Sequence, residues 1–167
     1  MTAMIPKKGK TGIYTLIIKL KRESTIEVGK LGVYKFPEGI YTYTGSALGR
    51  GATDLRGRLQ RHISKIKRHF WHIDYFLSTN ESQIKHVIFF ETDRQEECNI
   101  VKRLVSFGGN VIVRGFGASD CKSGCNSHLL FFQNNDEQQV IAVIKKAYEA
   151  KTANHLVKKL SWMKDYD

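Results

Sequence analysis

The sequence predicts an α+β domain in which a small, mainly antiparallel sheet is flanked by helices. Two observations carry this. Short β-rich runs recur along the chain, and so do amphipathic stripes of helical period. Their order shows no regular strand–helix–strand alternation of the kind that builds a parallel sheet.

Gly12 to Leu20 (GIYTLIIKL) is the first strand. Thr25–Val28 and Val33–Phe36 form two short strands, with Gly29 and Gly32 at the turn between them. Gly39 to Thr44 is a further strand with Tyr41 and Tyr43 on one face. A loop with Gly45, Gly49 and Gly51 follows. Thr53 or Asp54 then caps a helix expected to reach Lys67, with Leu55, Leu59, Ile63 and Ile66 on its apolar stripe. Phe70–Leu77 reads as a short helix, His86–Glu91 as a buried strand, and Gln95–Phe107 as a helix closed by Gly108-Gly109. Asn110–Arg114 is expected as a strand, Gly115–Ser127 as a loop and His128–Gln133 as the last strand. Asp136 caps an amphipathic helix to Ala150 that turns Val140, Ile141, Ile144 and Tyr148 inward, and a basic tail helix follows through Lys159.

One domain accounts for the 167 residues. A hydrophobic fraction of 41% excludes a largely disordered chain. No apolar run approaches bilayer length. Met1–Lys10 carries Lys7, Lys8 and Lys10 with no apolar segment behind them, so we expect no signal peptide, no membrane partner and a cytoplasmic protein. Three cysteines, an odd number, argue against a disulfide framework. Lys plus Arg is 27 against 16 Asp plus Glu, a net charge of +11. That excess points to a polyanionic partner, nucleic acid before all. It concentrates between Arg50 and His72, where seven basic side chains face one acid, Asp54. Arg50, Arg56, Arg61, Lys65, Lys67 and Arg68, with His69 and His72, form the expected nucleic-acid footprint. The alternative for Arg61, Lys65, Lys67 and Arg68 is a merely solvated face.

Gly12-Ile13-Tyr14 opens the first strand, Tyr43-Thr44-Gly45 follows in a later one, and Leu55-x-x-Arg58-x-x-x-His62 lies on the helix after it. Glu97 opens the helix after the next strand. This order resembles the GIY-YIG nuclease superfamily. Tyr43–Ala47, Phe70–Tyr75, Glu97-Cys98, Gly115–Cys121 and Ser127–Leu129 look like one branch of it, an uncharacterised archaeal and bacterial domain found alone or fused to DNA-repair enzymes. The match runs from about Gly12 to Phe132, with a core of about 12–133 and a C-terminal helical segment of about 136–160. Thr44 stands where the superfamily has an aliphatic residue. The Tyr14–Tyr43 stretch is longer than in compact members and is expected to hold an extra hairpin. The loop from Gly115 to His128 has no counterpart in the well-studied nucleases.

The resemblance implies a metal-dependent endonuclease acting on DNA, in repair or processing, with repair proteins as further partners. It implies that Tyr14, Tyr43, Arg58, His62 and Glu97 line the site. Glu97 would hold one Mg²⁺ or Mn²⁺, one tyrosine would take the proton of the attacking water, and Arg58 would neutralise the phosphate. The residue types suit that chemistry on their own terms. Phosphodiester hydrolysis needs a positioned water and cations for the developing charge. Glu97 shares the apolar arc of Cys98, Val101, Leu104 and Val105, whereas Glu96 falls outside it. A carboxylate on an apolar face is either paired or functional. Arg58 and His62, one turn apart, can face one site. We expect the five side chains to line one concave basic surface. The alternative is a non-catalytic nucleic-acid-binding module, or an adaptor in a repair complex.

Two further clusters can bind metal. Cys121, Cys125 and His128 suit three ligands of a zinc site, with Cys98 or Asp120 as a fourth; the alternative is a tight loop whose cysteines pack as small hydrophobes. His69 and His72 with Asp74 form the other, against which stands a packing role for the segment, with Trp71, Ile73 and Phe76 inward.

Overall fold

The computed structural model describes residues 5–134, 136–152 and 161–164. Its sheet is antiparallel throughout, with strand order β6-β4-β1-β5-β7. β1 (Gly12–Leu20) lies at the centre, between β4 (Gly39–Ala47) and β5 (Ser82–Glu91). β6 (Leu129–Phe132) extends the β4 edge and β7 (Ser161–Lys164) the β5 edge. β2 (Ser24–Glu27) and β3 (Val33–Phe36) pair as the expected extra hairpin.

The period-two alternation of β1 divides the core into two layers. Tyr14, Leu16, Ile18 and Leu20 face Ile26, Val28 and Phe36 of the hairpin region, Leu55 and Leu59 of α1 (Leu55–Ile63), and Ile73 and Phe76 of α2 (His72–Leu77). Ile13 and Ile17 face the other way. They pack with Ile100, Val101 and Leu104 of α3 (Glu97–Ser106) and with Val140, Ile141, Ile144 and Tyr148 of α4 (Glu137–Thr152). Tyr148 Oη and Thr44 Oγ1 each lie 2.9 Å from Thr15 Oγ1. Thr44 thus supplies a buried hydroxyl that an aliphatic residue could not.

Three expectations fail. α1 stops at Ile63 instead of reaching Lys67, because Lys67 Nζ folds back onto the carbonyl oxygens of His62 (2.7 Å) and Arg61 (3.2 Å) and closes the helix end. Ile66 therefore leaves the apolar stripe and is 95% exposed. Asn110–Arg114 forms no strand; only Asn110 bridges to Phe131, since the chain turns away at once into the 112–127 loop. β7 was not expected. The expected tail helix lies outside the described residues beyond 152. Among the described residues, no helix is long and apolar enough to cross a membrane.

Candidate active site

The two motif tyrosines meet because of sheet register. Tyr14 pairs with Gly45 and Leu16 with Tyr43, so Tyr14 and Tyr43 are diagonal neighbours on one face. Each motif glycine makes room at close quarters. A Cβ on Gly45 would sit 2.5 Å from Tyr14 Oη. A Cβ on Gly12 would strike the carbonyl oxygen of Phe90. The glycines of Gly-Ile-Tyr and Tyr-Thr-Gly are thus packing requirements of the tyrosine face and the central strand pairing.

α1 delivers the next two side chains. Asp54 caps it, accepting from the N–H of Gly57 at 2.7 Å, and also accepts from the N–H of Gly9 at 2.8 Å. His62 lies one turn beyond Arg58 and is buried. Its Nε2 is 2.7 Å from Tyr14 Oη. The Tyr43 ring stands edge-on to the same imidazole, with centroids 6.1 Å apart. Arg58 rests its guanidinium 4.2 Å above the Trp71 ring.

The basic segment is not one uniformly free face. Arg61 Nη2 donates to Asp74 Oδ2 and to the Arg68 carbonyl oxygen, each at 2.8 Å, and its guanidinium lies 4.6 Å from the Trp71 ring centre. The same Asp74 oxygen accepts from the backbone N–H of Phe70 and Trp71, each at 2.9 Å. Asp74 Oδ2 is therefore the buried anchor of the 68–74 turn, while Oδ1 has no hydrogen-bond partner among the described residues, and Asp74 does not converge with His69 and His72 as a set of metal ligands. His72 Nδ1 accepts from Gly117 N–H at 2.9 Å, and His69 Nε2 contacts Ser78 Oγ at 2.7 Å. Arg61, Lys67 and His72 are structural linkers, whereas Arg50, Lys65 and Arg68 are exposed and Arg56 is half-buried. Trp71 and Asp74 organise this face. An acid in the first turn of a short helix, as Asp74 is in α2, is the sequence signal that could have marked the carboxylate.

Glu97 arrives from the other layer. Although α3 packs against the face opposite Tyr14, its first turn opens onto a depression of about 360 Å³. Gln95, Cys98, Gly117, Cys121 and His128 share its lining. Gly117, at φ +67, presses against the Tyr43 ring and His128: a Cβ there would lie 3.0 Å from the tyrosine. Gln95 Nε2 donates to Glu97 Oε1 at 3.0 Å, while the buried Oε2 has no hydrogen-bond partner among the described residues.

The charges form one coupled group. Burial pushes the Tyr14 phenol well up; Tyr43 raises it further and Arg58 opposes. Burial raises Tyr43 likewise, with Arg58 pulling down and Asp74 and Glu97 pushing up. Burial, then the charge of Lys67, pulls His62 down to about 3, leaving a neutral imidazole at neutral pH. At Asp74 burial works upward, yet the N–H groups of Trp71 and Phe70 and the Arg61 guanidinium outweigh it and hold the carboxyl below its usual range.

Tyr14, Tyr43 and His62 lie side by side, whereas Arg58 and Glu97 bear on Tyr43 through their charges, and the surface is not the open basic concavity expected. Tyr14, Tyr43, His62 and Glu97 are 1%, 8%, 2% and 6% exposed, and only Arg58 is half-buried.

Cys98, Cys125, Cys121 and His128 converge beside Glu97. Cys98 and Cys125 are joined as a disulfide, with Cys121 Sγ 2.8 Å from Cys98 Sγ and 3.0 Å from Cys125 Sγ. Asp120, the other expected fourth ligand, is exposed and outside this cluster.

A family model described as "Domain of unknown function DUF123" matches residues 13–158. No curated protein and no solved structure matches the chain.

Proposed function

We propose that this chain, which belongs to the DUF123 family, is a metal-dependent endonuclease hydrolysing phosphodiester bonds in DNA, acting in the cytoplasm in repair or processing. The observation that carries the reading is the Tyr14–His62 hydrogen bond beside the Tyr43 ring, with the charges of Arg58 and Glu97 acting on Tyr43 and one buried Glu97 oxygen without a hydrogen-bond partner among the described residues. The resemblance to GIY-YIG nucleases supports it.

Glu97 would hold Mg²⁺ or Mn²⁺ through Oε2, and its orphaned buried oxygen suits a hard cation. Such a cation, when bound, polarises the phosphate and offsets charge on it. The rest falls to the chain. Tyr14 is a neutral phenol, so it needs a base before it can accept a proton. His62 in the tautomer protonated on Nδ1 offers Nε2 as that acceptor. As water attacks phosphorus, its proton passes to Tyr14 Oη and the Tyr14 proton passes to His62 Nε2, while the P–O bond to the leaving sugar oxygen breaks and that oxygen takes a proton from solvent. An anionic phosphodiester beside His62 raises its proton affinity and so favours this transfer. Arg58 neutralises the charge building on the phosphoryl oxygens, and Trp71 fixes its guanidinium from below. Tyr43 orients the water. Arg50, Lys65 and Arg68 hold the flanking backbone.

One observation favours the second reading, a binding module without turnover: four of the five site residues are nearly closed off from solvent. Incubating the full chain with duplex, flap, junction and single-stranded DNA under Mg²⁺, Mn²⁺ and chelator separates the two. Metal-dependent products support the nuclease; binding with no product on every substrate leaves the module.

A further inference from the structure

Three sulfurs and one imidazole nitrogen surround a single point next to Glu97. The ligand atoms of Cys98, Cys121, Cys125 and His128 all lie within 4.8 Å of one another. His128 Nε2 is 3.3 Å from Cys125 Sγ and 3.5 Å from Cys98 Sγ. A Cys98–Cys125 disulfide uses two sulfurs and explains neither why Cys121 Sγ sits within 3.0 Å of both nor why the imidazole is aimed at them.

We propose that these four residues form a Cys₃His zinc site. A tetrahedron with Zn–S of ~2.3 Å and Zn–N of ~2.0 Å has ligand-to-ligand edges of roughly 3.5–3.8 Å. The two sulfur–nitrogen distances fall at or close to this range. The distances from Cys121 Sγ to the other two sulfurs need to open by about 1 Å to reach it, and the bonded Cys98 and Cys125 sulfurs must part by more.

The ligands come from three places: the first turn of α3, the 115–127 loop and the residue before β6. Hydrogen bonds hold that loop at its neck, from Gly115 N–H to the Asn126 carbonyl oxygen, and at single points, from Gly117 N–H to His72 Nδ1 and from Lys102 Nζ to the Ser123 carbonyl oxygen, but none gathers its cysteines. It contributes Phe116 to the core and turns at Gly115, Gly117 and Gly124 with positive φ. A structureless loop of this length in a compact domain needs a reason to be ordered, and a metal clip supplies one. Four protein ligands close the coordination sphere, which marks a structural and not a catalytic metal. Cys98 neighbours Glu97 in the chain, and Gly117 of the clipped loop bears on the Tyr43 ring. The zinc therefore positions Glu97 and Tyr43. The site itself stands whether or not the chain is a nuclease.

Zinc and the disulfide exclude each other. A thiol reductant gives two electrons and two protons to the Cys98–Cys125 bond and is itself oxidised. Those two thiols and Cys121 then release three protons as Zn²⁺ binds.

The test is metal analysis and zinc-edge X-ray absorption on the full chain, purified in a thiol reductant without chelator. The result expected is one zinc per chain with a shell of three sulfurs at ~2.3 Å and one nitrogen at ~2.0 Å. Cys121→Ala should lose stoichiometric zinc and Asp120→Ala should keep it. Because Cys121→Ala can fail to fold, the wild-type absorption spectrum decides alone. A reduced chain that takes up no added Zn²⁺, a disulfide surviving that purification, or a shell with fewer than three sulfurs would overturn the assignment.

Discussion

The Tyr14 hydroxyl and the His62 imidazole lie 2.7 Å apart in a pocket that burial makes hostile to charge on either. A strand residue and a helix residue 48 positions apart share one proton between two neutral groups. This pair sets the expected behaviour of the site with pH and mutation.

His62 makes the fold acid-sensitive. Its folded affinity for protons is depressed from 6.5 to about 3 by burial. Between those values the unfolded chain binds more protons, so stability is full above pH 6.5 and falls as pH falls. At about 1.4 kcal/mol per unit, the loss is on the order of 5 kcal/mol. Denaturant midpoints from pH 7 to 4 should drop more steeply for wild type than for His62→Gln; parallel curves would remove His62 as the cause.

Gly45→Ala should disturb the same pair from the sheet side. The added methyl lies 2.5 Å from Tyr14 Oη, on a strand bonded to both neighbours. Overpacking of this kind costs about 1–3 kcal/mol. Thermal unfolding should show the loss, with Ser46→Ala near wild type.

Arg61 and Lys65 should separate stability from binding. Arg61→Ala leaves the buried Asp74 without its guanidinium, a change of about 3–5 kcal/mol for a buried pair, less here because Arg61 is about one-third exposed. Lys65→Ala should leave the melting temperature unchanged and flatten the salt dependence of DNA binding by about one unit of slope. Equal melting temperatures for the two variants would contradict the anchoring role of Arg61.

Much of the fold was legible because local signals and tertiary packing agree. β1 is bounded as its β-rich run suggests, and Asp54 caps α1 as its chemistry requires. Sequence alone failed where a distant partner decides. Ile66 continues the helical period, yet Lys67 ends the helix before it. Val111 and Val113 read as a strand, but their backbone never finds a second strand to pair with. At the site, the motif residues and their order, through the resemblance they carry, pointed to Tyr14, Tyr43, Arg58 and His62 as one group, of which the structure sets Tyr14, Tyr43 and His62 side by side. They could not reveal that Asp74 takes Arg61 out of the basic face, because that pairing depends on the 68–74 turn. Nor did spacing decide between Cys98 and Asp120, which only the approach of α3 to the loop resolves.

The most direct test of the account is Glu97→Gln. The substitution keeps size and the contact with Gln95 while removing the charge that would hold a hard cation. Cleavage of labelled DNA in Mg²⁺ and its binding at fixed salt would be measured on the same wild-type and variant preparations. The account predicts metal-dependent cleavage in wild type, none in Glu97→Gln, and binding that stays equal or tightens because one anion has gone. Cleavage surviving in the variant at the wild-type rate would contradict it.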